Sequence, residues 1–217
     1  MKKIKSAAVL GLGQFGISLA LEFMEQNVQV LAADINPSTV ERIASKVTYA
    51  VTADLTDAEA INELGLKNMD IVIICMSQNI EATIMCIVMA KEAGVPEIIA
   101  KAASKRTVDI YKKVGADRVV QPEAEHGRVT ARKLMASNFI EFFGLSKDIN
   151  IVEMYPKEDW VGYSISQLEL RKKHRINVVA IVNEDKLSNI ADPDIPLQED
   201  DRLLIAVNND DINKLIN

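Results

Sequence analysis

Val9 to Asp34 reads VLGLGQFGISLALEFMEQNVQVLAAD, and this stretch decides the fold. An apolar run (Ala7, Ala8, Val9, Leu10) meets Gly11-x-Gly13-x-x-Gly16. An apolar-periodic segment (Phe15, Leu19, Phe23) follows, then a second apolar run (Val28, Val30, Leu31) that ends in an acid. The order is strand, glycine turn, helix, strand, carboxylate. Each glycine has a physical reason. Gly11 permits the tight turn, Gly13 lets backbone N–H groups approach a phosphate, and Gly16 lets the helix lie close to the strand. Asp34 falls near the interval at which an acidic side chain reaches the hydroxyls of a ribose, and its charge repels a 2′-phosphate, which disfavours NADP. A glycine triplet alone also fits a structural turn with no ligand. Strand, helix, second strand and acid in register favour a nucleotide site.

The same joint recurs further on. ELGLKNMDIVI, EAGVPEIIA and KVGADRVVQ each place a helix-ending glycine shortly before an apolar strand. Six strands follow from this, at residues 7–10, 28–33, 48–53, 70–75, 98–101 and 118–121. They are near-continuous apolar runs, as a parallel sheet covered on both faces requires. The expected class is α/β, a Rossmann-like doubly wound sheet of order 3-2-1-4-5-6, with ligand at the switch between the first and fourth strands. Asn36-Pro37 opens one crossover helix, Thr56 and Glu59 have capping-box spacing for another over 57–64, and Asn79 to Ala93 forms a third. From Pro122 to Phe143 the pattern predicts one longer crossover helix closed by Gly144. Its last turns carry Phe139, Ile140, Phe142 and Phe143, an aromatic surface that either packs on its own sheet or crosses to another subunit.

Leu145 to Asp148 reads as a linker, so the expected domains are 1–144 and 145–217. The second is a small α+β C-terminal lobe: strands at 150–155, 177–182 and 202–207, a short helix at 166–172, a loop with Pro193 and Pro196, and a last helical stretch at 210–216. Seventy residues lie near the lower limit for independent stability, which points to a partner copy.

Composition excludes several classes. The 217 residues are 48% apolar and 26% charged with a net charge of −6; nothing suggests nucleic acid, whose binding proteins carry a basic face. The start, MKKIKS before AAVLGLG, is interrupted by glycines and lacks a cleavage site, so it reads as the first strand rather than a signal peptide. No run approaches the ~18 apolar residues needed to span a bilayer, and any membrane role goes through a partner. Cys75 and Cys86 form no metal or CxxC pattern and read as core thiols of a reducing cytosol.

A dehydrogenase needs a proton donor or acceptor beside its cofactor. His126 and His174 are the two histidines; the first reads as a solvated helix-start residue and the second lies in the basic run RKKHR. Gly162 to Ser166 (GYSIS) lacks the second glycine of a nucleophile elbow, and no HExxH is present. Binding without chemistry is the favoured reading, with a small NAD-dependent oxidoreductase as the alternative that the glycine fingerprint alone allows.

With these features together, the chain resembles the potassium-conductance regulators called RCK or KTN proteins, and within them the KtrA/TrkA-type subunit of bacterial potassium uptake systems. The resemblance rests on GLGQFG (11–16), LAADIN (31–36), VTADLTD (51–57), IIAKA (98–102) and GADRVVQPE (115–123). In the second lobe it rests on VGYSISQLELRKKHRINVVAI (161–181) and PLQEDDRLLIAV (196–207). It implies dimers assembled into an octameric ring on the cytoplasmic face of a potassium-translocating membrane subunit of KtrB/TrkH type, with ATP or ADP, or alternatively NAD(H), changing the ring's shape. Carried over by position, Gly11, Gly13, Gln14, Phe15 and Gly16 hold phosphates, Asp34 with Ile35 and Asn36 the ribose, and Asp54 with Leu55 the adenine edge. Met76 completes the lining and Lys101 reaches the phosphates. Glu123 matches a carboxylate that helps hold Mg2+ or another divalent cation near a terminal phosphate. Gln14 departs from the GLGRFG of several relatives; glutamine offers a hydrogen bond where arginine offers a charge, so discrimination of ATP from ADP is weakened. The small lobe resembles a module that in some relatives binds cyclic di-AMP, with Arg171 and Asn177 as polar contacts and Ile165, Leu168 and Ile176 as an apolar wall.

Overall fold

The computed structural model describes residues 3–76, 78–135, 138–144, 148–183, 186–188, 192–212 and 215. The chain divides into two compact units, Met1–Ala124 and Glu125–Asn217.

In the first unit six parallel strands alternate with helices. They are β1 (Ser6–Leu10), α1 (Gln14–Glu25), β2 (Gln29–Asp34), α2 (Pro37–Ala44), β3 (Tyr49–Thr52), α3 (Ala58–Glu63), β4 (Ile71–Ile74), α4 (Ile80–Glu92), β5 (Glu97–Lys101), α5 (Lys105–Val114) and β6 (Arg118–Val120). The sheet order is β3-β2-β1-β4-β5-β6, the doubly wound Rossmann-like arrangement expected from the glycine joints. Residue parity explains the apolar runs. Ala8, Leu10, Leu31, Ala33, Val72 and Ile74 pack on one face with Ile61 of α3, Ile87 of α4 and Tyr111 of α5. Ala7, Val9, Val30, Ala32, Ile71 and Ile73 pack on the other with Ala20 of α1 and Val40 and Ile43 of α2. A strand covered twice has no polar face to show.

Local rules set the helix boundaries. Asn36 caps α2 through Ser38 N–H and Pro37 occupies its first turn; Asn79 caps α4 through Ala82 N–H. For α3 the cap is Asp57, which accepts from Glu59 N–H, rather than the expected Thr56, because Thr56 is held by Asp54. Gly65 ends that turn in the left-handed region at φ 66°, where a side chain is disfavoured.

The long helix expected over 122–143 does not form. α6 (Pro122–Met135) ends eight residues earlier, and Phe139–Gly144 is a strand, β7, paired antiparallel with β8 (Ile149–Met154). The second unit's sheet has the order β10-β9-β11-β8-β7, with β9 (Asn177–Asn183), β10 (Lys186–Ser188) and β11 (Arg202–Asn208); β10 and β7 were not foreseen. The helix expected at 166–172 is two, α7 (Ile165–Leu168) and α8 (Leu170–His174), broken where Glu169 adopts φ 50°. Phe139, Phe142, Val152, Met154, Trp160, Leu170, Leu203 and Ile205 build this unit's core, so Phe139 and Phe142 of the expected aromatic cluster are buried in the second unit rather than on the first sheet, while Phe143 stays exposed. Most of the linker at 145–148 lies outside the described residues; of the last helical stretch expected at 210–216, a 3-10 turn at Asn209–Asp211 is described, and residues 213, 214 and 216 lie outside the described residues.

Candidate nucleotide site at the first glycine turn

β1 ends at Leu10 and the chain turns at Gly11, whose φ is 94°. A Cβ on Gly11 would stand 2.6 Å from Met76 Cγ. On Gly16 a Cβ would overlap the carbonyl oxygen of Gly11; the third glycine is what lets α1 close onto the turn. Gly13 differs from both. It is exposed, has an ordinary φ of −67°, and a Cβ there meets nothing within 4 Å. Nothing in the chain itself needs glycine at this position, and the open space is where a ligand's phosphate can come close to the backbone. Gly13 starts α1 with no side-chain cap and no acidic residue in the first turn. The helix therefore presents N–H groups and the positive end of its dipole uncompensated, a ready anion site.

Asp34 stands beside this turn at the end of β2. Its Oδ2 accepts from Leu12 N–H at 2.6 Å and its Oδ1 from Asn36 N–H at 2.9 Å. The carboxylate thus ties the glycine turn to the next strand, and each oxygen keeps a further lone pair for a hydroxyl. Ile35, the next residue, is 62% exposed, a large apolar side chain open beside that carboxylate. At the end of the third strand Asp54 Oδ1 accepts from Thr56 N–H and Oγ1 at 2.9 and 2.7 Å, and these bonds hold its carboxyl below the usual range. Leu55 is buried under it and Met76, half-buried, lies against Gly11.

Lys101, the last residue of β5, has a side chain only 10% exposed. Its Nζ forms an ion pair with Oε1 of Glu123, the second residue of α6, and lies 5.5 Å from the centroid of Phe15. The hydrogen bond from Lys101 holds the Glu123 carboxyl below its ordinary value. Cys75, at the same end of the sheet, is pushed up to about 12 by burial, with Lys101 opposing. It is a neutral core thiol, not a nucleophile. Among the described residues no group of three or more His, Cys, Asp or Glu side chains could hold a metal. The Thr56 contact and the pairing of Lys101 with Glu123 were not foreseen. Asp-x-Thr is a known local turn signal; a pair twenty-two positions apart leaves none. Gln14 is exposed at the start of α1.

The remaining candidates scatter. His126 is exposed on α6 and His174 half-exposed on α8. A cavity of about 450 Å3 is lined by Ile61, Leu66 and Met89 at the C-terminal ends of α3 and α4, the other end of the sheet from the glycine turn. In the second unit Arg171 and Asn177 are exposed and Ile165 and Leu168 half-buried. Ile176 is 1% exposed, within the core, so its side chain presents no apolar wall at the surface.

The chain matches the TrkA-N domain over residues 7–122 and the TrkA-C domain over 151–217. It is a member of the TrkA/KtrA family. Among its relatives, the Ktr system potassium uptake protein C of Bacillus subtilis is 35% identical over 177 residues, 82% of this chain and 80% of that protein. The Ktr system potassium uptake protein A of the same organism is 33% identical over 215 residues, 99% of this chain and 97% of that one. The GsuK channel bound to NAD shares the fold with a TM-score of 0.65 at 15% identity; 98% of this chain aligns with 39% of that one. The glycine turn, Asp34, Asp54, Lys101 and Glu123 all lie in or directly beside the TrkA-N segment, and the second unit's sheet lies in the TrkA-C segment apart from β7 and the first residues of β8. No helix among the described residues is long and apolar enough to cross a membrane.

Proposed function

We propose that this chain is a non-enzymatic, nucleotide-sensing regulatory subunit of a potassium uptake system. The supporting observation is the uncapped start of α1, with a ribose acceptor at Asp34 on one side and a buried cation at Lys101 on the other. An adenosine ligand with phosphates, ATP or ADP, or NAD, suits that arrangement, with its ribose at Asp34, Ile35 and Asn36, its base toward Asp54 and Leu55, and its phosphates over Gly13, Gln14 and Phe15. The relatives are named for potassium uptake, and the GsuK channel of like fold is bound to NAD. Glu123 serves a divalent cation only together with phosphate oxygens, since it is a single carboxylate. The second lobe is the dimer-forming ligand module, with Arg171 and Asn177 exposed to meet an anionic ligand such as cyclic di-AMP. Copies assemble as a ring at the inner membrane face against a potassium-translocating subunit. A ligand that favours one ring shape shifts the population and so the partner.

Calorimetric titration of the purified, nucleotide-free chain with ATP, ADP and NADH, run beside its mass in solution and followed by reconstitution with the membrane subunit, tests this reading. Nucleotide binding by a large ring that alters potassium flux supports it. NADH oxidation by a small dimer that ignores ATP and ADP returns the oxidoreductase.

A further inference from the structure

Lys101 and Glu123 are unequal partners. The lysine side chain is 10% exposed and the glutamate side chain 67%. An ammonium taken out of water needs a counter-charge, whereas an exposed carboxylate is fully solvated without one. Lys101 therefore depends on having a counter-anion, and Glu123 gives way at little cost only to another anion that takes its place. The pair also sits where a ligand's phosphates arrive, since the same Nζ lies over Phe15, the second residue of α1. A phosphate reaching Lys101 meets the glutamate already bound to it. If the ammonium's three donors are shared between the two anions, carboxylate and phosphate stand close together and repel. Competition and repulsion act in the same direction.

We infer that Glu123 is a specificity-determining residue of the nucleotide site, a tethered anion that competes with ligand phosphates for Lys101 and so grades adenosine ligands by their phosphate charge. This rests on the nucleotide reading above and adds to it a role for Glu123 that needs no metal. The nucleoside portion, held at Asp34 and Asp54, does not feel the competition. The phosphate that reaches Lys101 does. The apparent affinity for a phosphorylated ligand falls by the fraction of molecules in which Lys101 is free.

The test is titration of the full chain in the presence of a chelator, with adenosine, ADP and ATP as probes. If Glu123 occupies Lys101 about nine-tenths of the time, Glu123→Gln tightens ADP and ATP about tenfold, ATP at least as much as ADP, and leaves adenosine unchanged. In a Lys101→Met background the same substitution changes ADP affinity less than about twofold, because the site of competition is gone. This second comparison leaves no unpaired buried lysine; if Glu123→Gln alone does not fold, Glu123→Asp, which keeps the charge on a shorter arm, takes its place and tightens ADP and ATP in the same sense by a smaller factor, while equal or weaker binding by it overturns the inference. Equal or weaker ADP binding by a folded Glu123→Gln chain overturns the inference, as does an equal change for adenosine, or a tenfold effect that persists without Lys101. If adenosine and both nucleotides fail to bind even the unaltered chain, the nucleotide reading falls and this inference with it; binding by the unaltered chain with no gain on substitution removes the inference alone.

Discussion

At the scale of single residues, the three glycines of the first turn separate structure from binding. Gly16→Ala forces a Cβ onto the Gly11 carbonyl oxygen, and overpacking of this kind destabilises by about 1–3 kcal/mol. Gly13→Ala has open space and should cost only the weaker N-cap preference of alanine, about 0.5–1 kcal/mol. It should nonetheless weaken phosphate-bearing ligands about tenfold or more, near 1.4 kcal/mol. Thermal unfolding and titration of both variants check the pair; equal losses of stability would remove the distinction. Asp34 serves both structure and binding. Asp34→Ala deletes the acceptors for Leu12 and Asn36 N–H, so it should lower stability by about 1–3 kcal/mol and weaken every adenosine ligand, adenosine included. The buried thiols set an alkaline limit. Cys75 and Cys86 rise from 9.0 to about 12 by burial, so they stay protonated in the fold and ionise once unfolded. Their contribution is whole below pH 9 and is lost as the pH rises from 9 toward 12. Urea unfolding at about pH 8, 9.5 and 11 should show that fall, and Cys75→Ala with Cys86→Ala should flatten it.

At the scale of elements, the stretch after Met135 is where helix and strand were hardest to tell apart. Phe139 and Phe142 are three positions apart and both buried, which is the spacing of one helix face. In the structure they belong to β7, and a register shift between Phe139 and Glu141 against β8 inserts the extra residue that turns both inward. A β-bulge thus imitates the helical period, and only the pairing with β8 reveals it. The consequence is measurable. Phe142→Ala should destabilise the second unit by about 3–5 kcal/mol, while Phe143→Ala, at a side chain 51% exposed, should cost far less; chemical denaturation followed at Trp160 in that unit's core distinguishes them. In the first unit, by contrast, glycines and caps marked nearly every boundary, because each α–Gly–β joint is a local event written in adjacent residues. The candidate site divides the same way. Gly11, Gly13, Gly16 and Asp34 were legible from spacing, whereas the Lys101–Glu123 pair depends on β5 and the start of α6 lying side by side.

At the scale of the whole molecule, the two compact units have separate cores, and the glycine-turn site lies within the first. Saturating ADP at about a hundred times its dissociation constant should stabilise the unit that binds it by about 2.7 kcal/mol. Hydrogen exchange should register that gain in β1, β2 and β5, with little change in β8 and β11; uniform protection of all five strands would mean that the units respond as one. What the sequence by itself determined was the doubly wound sheet, its strand order, the glycine turn and the family, since all are carried by short-range signals: apolar period, glycine position, caps and a carboxylate one strand away. Tertiary structure alone decided that Phe139–Gly144 joins the second sheet, that Ile176 faces inward, that Asp34 secures the turn through Leu12, and that Lys101 is held by Glu123. Those facts depend on which distant residues become neighbours, and strand pairing, burial and ion pairing between segments leave no period in the chain.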